Sequence, residues 1–110
     1  MAIQSTAIGA TNTTIFTATD DVAISTMIFC NTSLPNPMQD DADTTYLDIY
    51  LVKNGQSATN TNKVVNVLEI PAGETVFFDT ERIVLENGDR VIAASTSPAV
   101  LVCTISTVPI

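Results

Sequence analysis

Acidic side chains are the groups in this sequence most suited to chemistry by number and spacing. Asp40, Asp41 and Asp43 lie within four residues of one another, and Asp20 and Asp21 form a separate pair. Closely spaced carboxylates could bind Ca²⁺, which takes roughly six to eight oxygen ligands. The EF-hand pattern is incomplete, because no glycine follows Asp43 in the required place and no Glu closes the loop. We interpret the cluster as a solvated acidic loop and predict no metal site.

Other side chains give little support for catalysis. The chain has no His, so the commonest general base and the commonest metal ligand are both missing. No nucleophile elbow, Gly-rich phosphate loop or Cys–His pair accompanies the many Ser and Thr residues. A glycosidase with paired carboxylates needs a cleft lined by aromatic residues, and the chain has only two Tyr and four Phe. We expect a protein that is not an enzyme, with no catalytic residues and no cofactor.

Aromatic residues offer one candidate binding surface. Tyr46, Asp48 and Tyr50 alternate with apolar residues, so they share one face of a strand, as a small carbohydrate patch requires. Ordinary cross-strand packing on an outer sheet face explains the same pattern. Phe77 and Phe78 are adjacent and point to opposite faces, so at least one of them belongs to the core.

Two cysteines, Cys30 and Cys103, lie in alternating apolar stretches. Two isolated cysteines without His leave a zinc site half built. A disulfide between two sheets and a pair of buried free thiols both fit the pattern. The start of the sequence lacks the features of a secretory signal, which favours free thiols.

The sequence pattern is that of strands and turns. Thr, Val and Ile make up 39 of 110 residues, and β-branched residues fit a pleated surface better than a helix. Asn54-Gly55, Asn87-Gly88 and Pro71-Ala72-Gly73 are typical of tight turns between alternating segments. We predict an all-β, single-domain, two-sheet β-sandwich, jelly-roll-like, with about seven or eight antiparallel strands.

Two segments are predicted to lie outside this packing. Residues 1–13 are expected to form an extended N-terminal arm, and residues 14–110 the sandwich with a long acidic loop at 31–44. Loops of this length in compact domains are usually functional or mobile. The candidate contacts with a partner are apolar residues of the arm and the loop: Ile3, Ile8, Leu34, Pro35, Pro37 and Met38.

Charge and hydropathy exclude two kinds of partner. With 12 acidic and 4 basic residues the net charge is −8, so a phosphate backbone would repel the protein, and we expect no nucleic acid partner. The long uncharged stretch before Asp20 is rich in Thr and Asn and too polar to span a bilayer, and we expect no membrane contact.

Three stretches of the sequence combine strand and turn signatures in a fixed order: "TTIFTATDDVAISTMIFCNTS", "YLDIYLVKNGQ" and "IPAGETVFFD…RIVLENGDRVIAASTSPAVLVCTISTV". Through them about 95 residues, from Thr14 to Val108, resemble small virion proteins of tailed bacteriophages. These turn and strand signatures are specific for the sandwich and less so for function. Thr19-Asp20-Asp21 stands where the family's first hairpin often carries a Pro-Ala turn, which leaves the strand order there open.

That resemblance implies a structural role in a virus particle. It implies a capsid decoration (cement) protein that binds the outer head surface, with the major capsid protein or another virion protein as partner. It also implies localisation in the virion, assembled in the host cytoplasm. An oligomer, with a trimer favoured, suits a capsid lattice. The family also includes tail, head–tail and fibre or knob proteins, and for these Tyr46, Asp48 and Tyr50 would form the receptor-binding sugar patch.

Overall fold

Nine β-strands make up most of the chain in the computed structural model, which describes residues 2–33, 44–79, 83–96 and 101–110. All strand pairs are antiparallel. The strands are β1 (Ala2–Ile8), β2 (Thr13–Thr17), β3 (Val22–Asn31), β4 (Thr45–Val52), β5 (Lys63–Ile70), β6 (Thr75–Phe78), β7 (Ile83–Leu85), β8 (Arg90–Ser95) and β9 (Leu101–Pro109).

The strands form two sheets that pack face to face. Sheet A has the order β1-β9-β3-β6, with β7 also paired to β3, and sheet B has the order β2-β8-β4-β5. The chain crosses from one sheet to the other six times: between β1 and β2, β2 and β3, β3 and β4, β5 and β6, β7 and β8, and β8 and β9. This connectivity is that of a jelly roll. The prediction of an all-β, two-sheet, jelly-roll-like sandwich is confirmed.

The described residues contain nine strands instead of seven or eight because one edge of sheet A is divided. Phe78 of β6 pairs with Met27, whereas Ile83 of β7 pairs with Ile24. Between these two pairs the edge advances by five residues, from 78 to 83, whereas β3 advances by three, from 27 to 24. The two extra residues interrupt the ladder, so β6 and β7 lie end to end along β3 and together occupy one jelly-roll position.

The core lies between the sheets and follows the period-two alternation of the strands. In β9, Leu101, Cys103 and Ile105 are buried, while the residues between them are half-buried. Phe29 is the largest fully buried side chain, and its ring meets that of Phe78 edge to face with centroids 5.6 Å apart. Burying each large apolar side chain contributes about 1.5–3 kcal/mol.

The predicted N-terminal arm is wrong, and so is the boundary at residue 14. Residues 2–8 form the edge strand β1, which pairs with β9 along its whole length. Ile8 lies opposite Leu101 and is fully buried in the core, and the Gln4 side-chain amide donates to the Ile15 carbonyl of β2 at 3.1 Å. The polar composition concealed a strand because one side of β1 faces solvent and its partner lies at the far end of the chain.

One buried amide ties the two sheets together at their ends. The Asn31 side-chain amide at the end of β3 donates to the Ile70 carbonyl at the end of β5, at 2.9 Å. Its side-chain oxygen accepts the Ser33 N–H at 3.1 Å. Asn31 is completely buried, and a buried polar group without such partners would cost about 1–3 kcal/mol. This residue therefore fixes where β3 leaves sheet A.

The two Asn-Gly turns are confirmed, and they contact each other at one end of sheet B. Gly88 has φ +92°, and a Cβ there would come within 2.5 Å of the Asn54 side chain, so only glycine fits. The Asp89 carboxylate accepts the backbone N–H groups of Asn54 and Glu86, both at 3.0 Å. These bonds hold the pKa of Asp89 below its ordinary value. One carboxylate thus joins both turns.

Candidate functional site

The strands of sheet A carry no charged residue. All five lack Asp, Glu, Lys and Arg, so the 16 charged residues of the chain fall outside these strands. We call the outer surface of these strands the uncharged face. Its outward side chains among the described residues are Ile3, Ser5, Ala7, Ala23, Ser25, Thr26, Ile28, Cys30, Thr75, Phe77, Val84, Val102, Thr104, Ser106 and Val108.

Strand register arranges these side chains in rows across sheet A. One row runs Phe77, Ile28, Thr104 and Ser5 from one edge to the other. The apolar residues at the edges are well exposed: Ile3 to 73%, Phe77 to 58% and Val84 to 61%. The hydroxyls of Ser5 and Thr104 lie between these edges, so the face combines exposed apolar groups with uncharged polar ones. Exposed apolar groups gathered on one face are typical of a contact with another macromolecule.

Four hydroxyl groups of the uncharged face bond to neighbours on the same face. Ser5 Oγ lies 3.1 Å from Thr104 Oγ1, and Ser25 Oγ lies 3.1 Å from the Ser106 carbonyl and 3.2 Å from Ser106 Oγ. A bulge in β3 between Ile24 and Thr26 brings Ser25 to this side. These hydroxyls keep hydrogen-bond partners when water is removed.

The outer face of sheet B carries the aromatic residues that the sequence singled out. Tyr46, Asp48 and Tyr50 are half-buried and alternate with the buried Leu47 and Ile49, so the three lie on one outward face, as the alternation predicts. Sugar binding by this surface stays a prediction.

The Asp48 carboxylate is held by groups of β5. Its Oδ1 accepts the Val67 backbone N–H at 2.8 Å, and its Oδ2 lies 3.8 Å from Lys63 Nζ. Lys63 Nζ also donates to Asn66 Oδ1 at 3.1 Å and lies 5.3 Å from the centroid of the Tyr50 ring. These contacts fix Lys63 over the aromatic ring, where a cation–π contact contributes about 0.5–1 kcal/mol at an exposed site.

Val67 has a strained backbone, which no pattern in the sequence predicts. Its φ is +55°, and the left-handed region costs a non-glycine residue about 1–2 kcal/mol. The side chain is 58% exposed, so core packing does not offset that cost. The ladder between β4 and β5 shifts register on both sides of Ile49, and the bond from Val67 to Asp48 stabilises one of these bulges. Backbone strain is concentrated at functional sites more often than elsewhere.

The predicted partner contacts are separated by the fold. Ile3 lies on the uncharged face, whereas Ile8 is buried in the core and therefore cannot contact a partner. The other predicted contacts and the acidic cluster lie outside the described residues: Leu34, Pro35, Pro37, Met38, Asp40, Asp41 and Asp43.

Both cysteines are free thiols, and they lie on opposite sides of sheet A. Cys30 is half-buried on the uncharged face, opposite Val102. Cys103 points into the core, opposite Phe29, and burial raises the pKa of its thiol to about 12. Only Cys30 is placed to react with solutes.

An apolar cleft of about 270 Å³ opens between the sheets at the edge formed by β5, β6 and β7. Met27, Ile49 and Leu51 contribute to its lining, and Phe77 belongs both to the cleft and to the uncharged face. Phe78 points inward and packs on the core, which confirms that the two adjacent phenylalanines face opposite ways.

Within residues 2–33, 44–79, 83–96 and 101–110, no group of three or more His, Cys, Asp or Glu side chains is placed to hold a metal ion. The same residues contain no helix with the length and apolar character needed to span a bilayer.

No protein family matches the sequence, and neither a curated protein nor a solved structure is detectably similar to the chain.

Proposed function

We propose that this chain is a non-enzymatic structural protein of a tailed bacteriophage virion, a capsid decoration (cement) protein that binds the outer head surface and stabilises it. Two things support the proposal: the sequence resemblance described above and the jelly-roll fold. The observation that carries it is a difference between the two sheets: the strands of sheet A carry no charged residue, whereas those of sheet B carry four. The uncharged face suits burial against protein, and the net charge of −8 comes from residues outside the strands of sheet A.

Attachment to a capsid lattice places particular demands on such a protein. A single sandwich makes a contact of modest affinity with the capsid, and linking several copies in an oligomer multiplies the affinity without new chemistry. We therefore propose an oligomer, with a trimer favoured because it matches threefold positions of a capsid. Its partner is the major capsid protein or another virion protein.

Location and copy number test this proposal. Virions are purified by density gradient, the chain is quantified by mass spectrometry against the major capsid protein, and antibodies against it are imaged with gold particles. We expect hundreds of copies per particle, on the head. Absence from purified particles would refute a virion role, and a few copies at one vertex or on the tail would refute decoration.

A tail or fibre protein that binds carbohydrate is the second candidate. The observation that favours it is the outward cluster of Tyr46, Asp48 and Tyr50 beside Lys63 and the strained Val67. A glycan array with the wild type and with Tyr50→Ala tests this role, with Phe77→Ala on the other sheet as control. Specific glycan binding that only Tyr50→Ala removes would support the second candidate. Absence of any glycan binding leaves decoration as the function.

A further inference from the structure

We infer that the uncharged face of sheet A is a self-association surface, covered in solution by further copies of this same chain. The inference deepens the proposed function and rests on it in one respect. A decoration protein is expected to be an oligomer, and the inference identifies the surface through which that oligomer forms. Charge, hydrogen bonding and area support the assignment independently.

Charge decides which surfaces of two identical chains can meet. Each copy carries −8, so most pairings of surfaces bring carboxylates together, and juxtaposed like charges cost several kcal/mol. Sheet B carries Asp48, Lys63, Glu69 and Arg90 in its strands. The strands of sheet A carry none. A second copy that approaches the uncharged face meets no charged side chain in the strands of sheet A. A partner with a basic surface gains no electrostatic attraction from those strands.

Hydrogen bonds between hydroxyls lower the free-energy cost of removing water from the uncharged face. Burying a hydroxyl without a partner costs about 1–3 kcal/mol in proteins. Ser5 and Thr104 bond to each other, as do Ser25 and Ser106, so these hydroxyls enter an interface already paired. Apolar groups of Ile3, Ile28, Phe77 and Val84 supply the favourable term, about 25 cal/mol for each Å² removed from water.

The area of the face is large enough for a specific interface. β9 has nine residues, which at about 3.3 Å each span about 30 Å, and four strand positions at about 4.8 Å span about 19 Å. The face thus covers about 570 Å², and two such faces remove more than about 1,100 Å² from water. Specific interfaces begin at roughly 1,000 Å².

A matched pair of substitutions tests the inference. Val84→Lys places a charge on the uncharged face, and Val67→Lys places the same charge on β5 at nearly the same exposure, 58% against 61%. Sedimentation equilibrium gives the mass and the dissociation constant of each variant, and circular dichroism with thermal melting verifies its fold. We expect a wild-type oligomer, a dissociation constant raised at least about tenfold by Val84→Lys, and no change with Val67→Lys.

The native Cys30 thiol provides a second measurement that needs no substitution. We expect a maleimide reagent to label Cys30 quickly in dilute protein and at least about tenfold more slowly at concentrations where the oligomer forms, as expected for a buried interface position. Cys103, buried with its thiol pKa at about 12, is the internal control and stays unlabelled in the folded protein.

The outcomes separate this inference from the proposed function. A wild type that stays monomeric at all soluble concentrations overturns the inference, even if Cys30 becomes protected on virus particles, in which case the face binds capsid protein. An oligomer that Val84→Lys leaves intact also overturns it. An oligomer sensitive to Val84→Lys supports it whether dimer or trimer, although a dimer removes the trimer from the proposed function. Absence of the chain from virions refutes the proposed function and leaves a measured self-association standing.

Discussion

The two outer faces of this sandwich differ in how their polar groups are arranged. On the uncharged face of sheet A, hydroxyls pair with hydroxyls, and the ladder of β1 with β9 is regular throughout. On the outer face of sheet B, Asp48 and Lys63 bond across strands, and the ladder between β4 and β5 shifts register twice. The first face is suited to losing its water. The second keeps charged groups that need water or fixed partners.

The two sheets also differ in whether an edge strand is protected against pairing with a further strand. β5 carries bulges and two charged residues, devices that prevent further strand pairing. β1 has neither a bulge nor a charge, although it is a seven-residue edge strand. The β1 strand therefore lacks, within its own sequence, the devices that keep an edge strand from pairing with another chain, and it borders a face with exposed apolar residues. This contrast supports the proposal that copies of the chain associate through sheet A.

The largest expected effect tests whether β1 belongs to the sandwich. Ile8→Ala should lower the free energy of unfolding by about 3 kcal/mol, because it leaves a cavity in the core. Ile3→Ala, on the outward side of the same strand, should change it by less than about 0.5 kcal/mol in dilute protein. Urea denaturation measures both. If both substitutions lower the free energy of unfolding by the same small amount, the N-terminal residues form an arm and not a strand of sheet A.

The second-largest expected effect on stability comes from removing the Asp48 carboxylate on the outer face of sheet B. Asp48→Ala should cost about 1.5 kcal/mol, since it removes the acceptor of the Val67 N–H and the partner of Lys63. Thr104→Ala removes a hydroxyl pair on the uncharged face and should cost less than about 0.5 kcal/mol. Chemical denaturation of the two variants compares the faces directly. A larger loss of stability with Thr104→Ala than with Asp48→Ala would contradict this difference between the two faces.

A third pair of variants should shift stability in opposite directions. Val67→Gly relieves a left-handed backbone and should stabilise the protein by about 0.5–1 kcal/mol. Val84→Gly weakens an ordinary strand and should destabilise it by about 1 kcal/mol. Thermal melting of dilute samples gives both signs. If Val67→Gly destabilises the protein, Val67 is not strained and sheet B's face loses its distinguishing feature.

The smallest expected effect is a dependence on acid pH. The Asp89 pKa is lower in the folded protein than in the unfolded chain, so the stability it supplies is fully present above its unfolded pKa and is lost as pH falls through the folded pKa. The loss should stay below about 1 kcal/mol because water screens this carboxylate. Melting curves of the wild type and Asp89→Asn, from neutral pH down to about pH 3, measure it. Parallel pH profiles would show that Asp89 makes no such contribution.

Sequence reasoning succeeded where structure depends on neighbouring residues. The alternation that buries Leu47 and Ile49 and turns Tyr50 outward is a property of any strand, and glycine at position 88 is required by the turn itself. These local rules were enough to predict the strands other than β1, the three turns and the arrangement of Tyr46, Asp48 and Tyr50 on one face.

The remaining features depend on residues far apart in the chain. Ile8 is buried because it pairs with Leu101, and the φ of Val67 is held by a carboxylate on another strand. A β-branched residue is the last that a sequence argument would place in the left-handed region. The absence of charge in five strands is visible in the sequence, but it becomes a surface only when the topology joins those strands in sheet A.

The pairing of β1 with β9 also has a kinetic consequence. Ser5 and Thr104 are 99 residues apart in the chain, yet their side-chain oxygens lie 3.1 Å apart, so β1 pairs with a strand that is synthesised much later. Folds dominated by such distant pairings form slowly, in about milliseconds to seconds for small all-β domains. During synthesis, the apolar residues of β1 and β3 stay without β9 until it leaves the ribosome. Within that interval, association between nascent chains competes with folding, and the strands most exposed to it are those of the uncharged face.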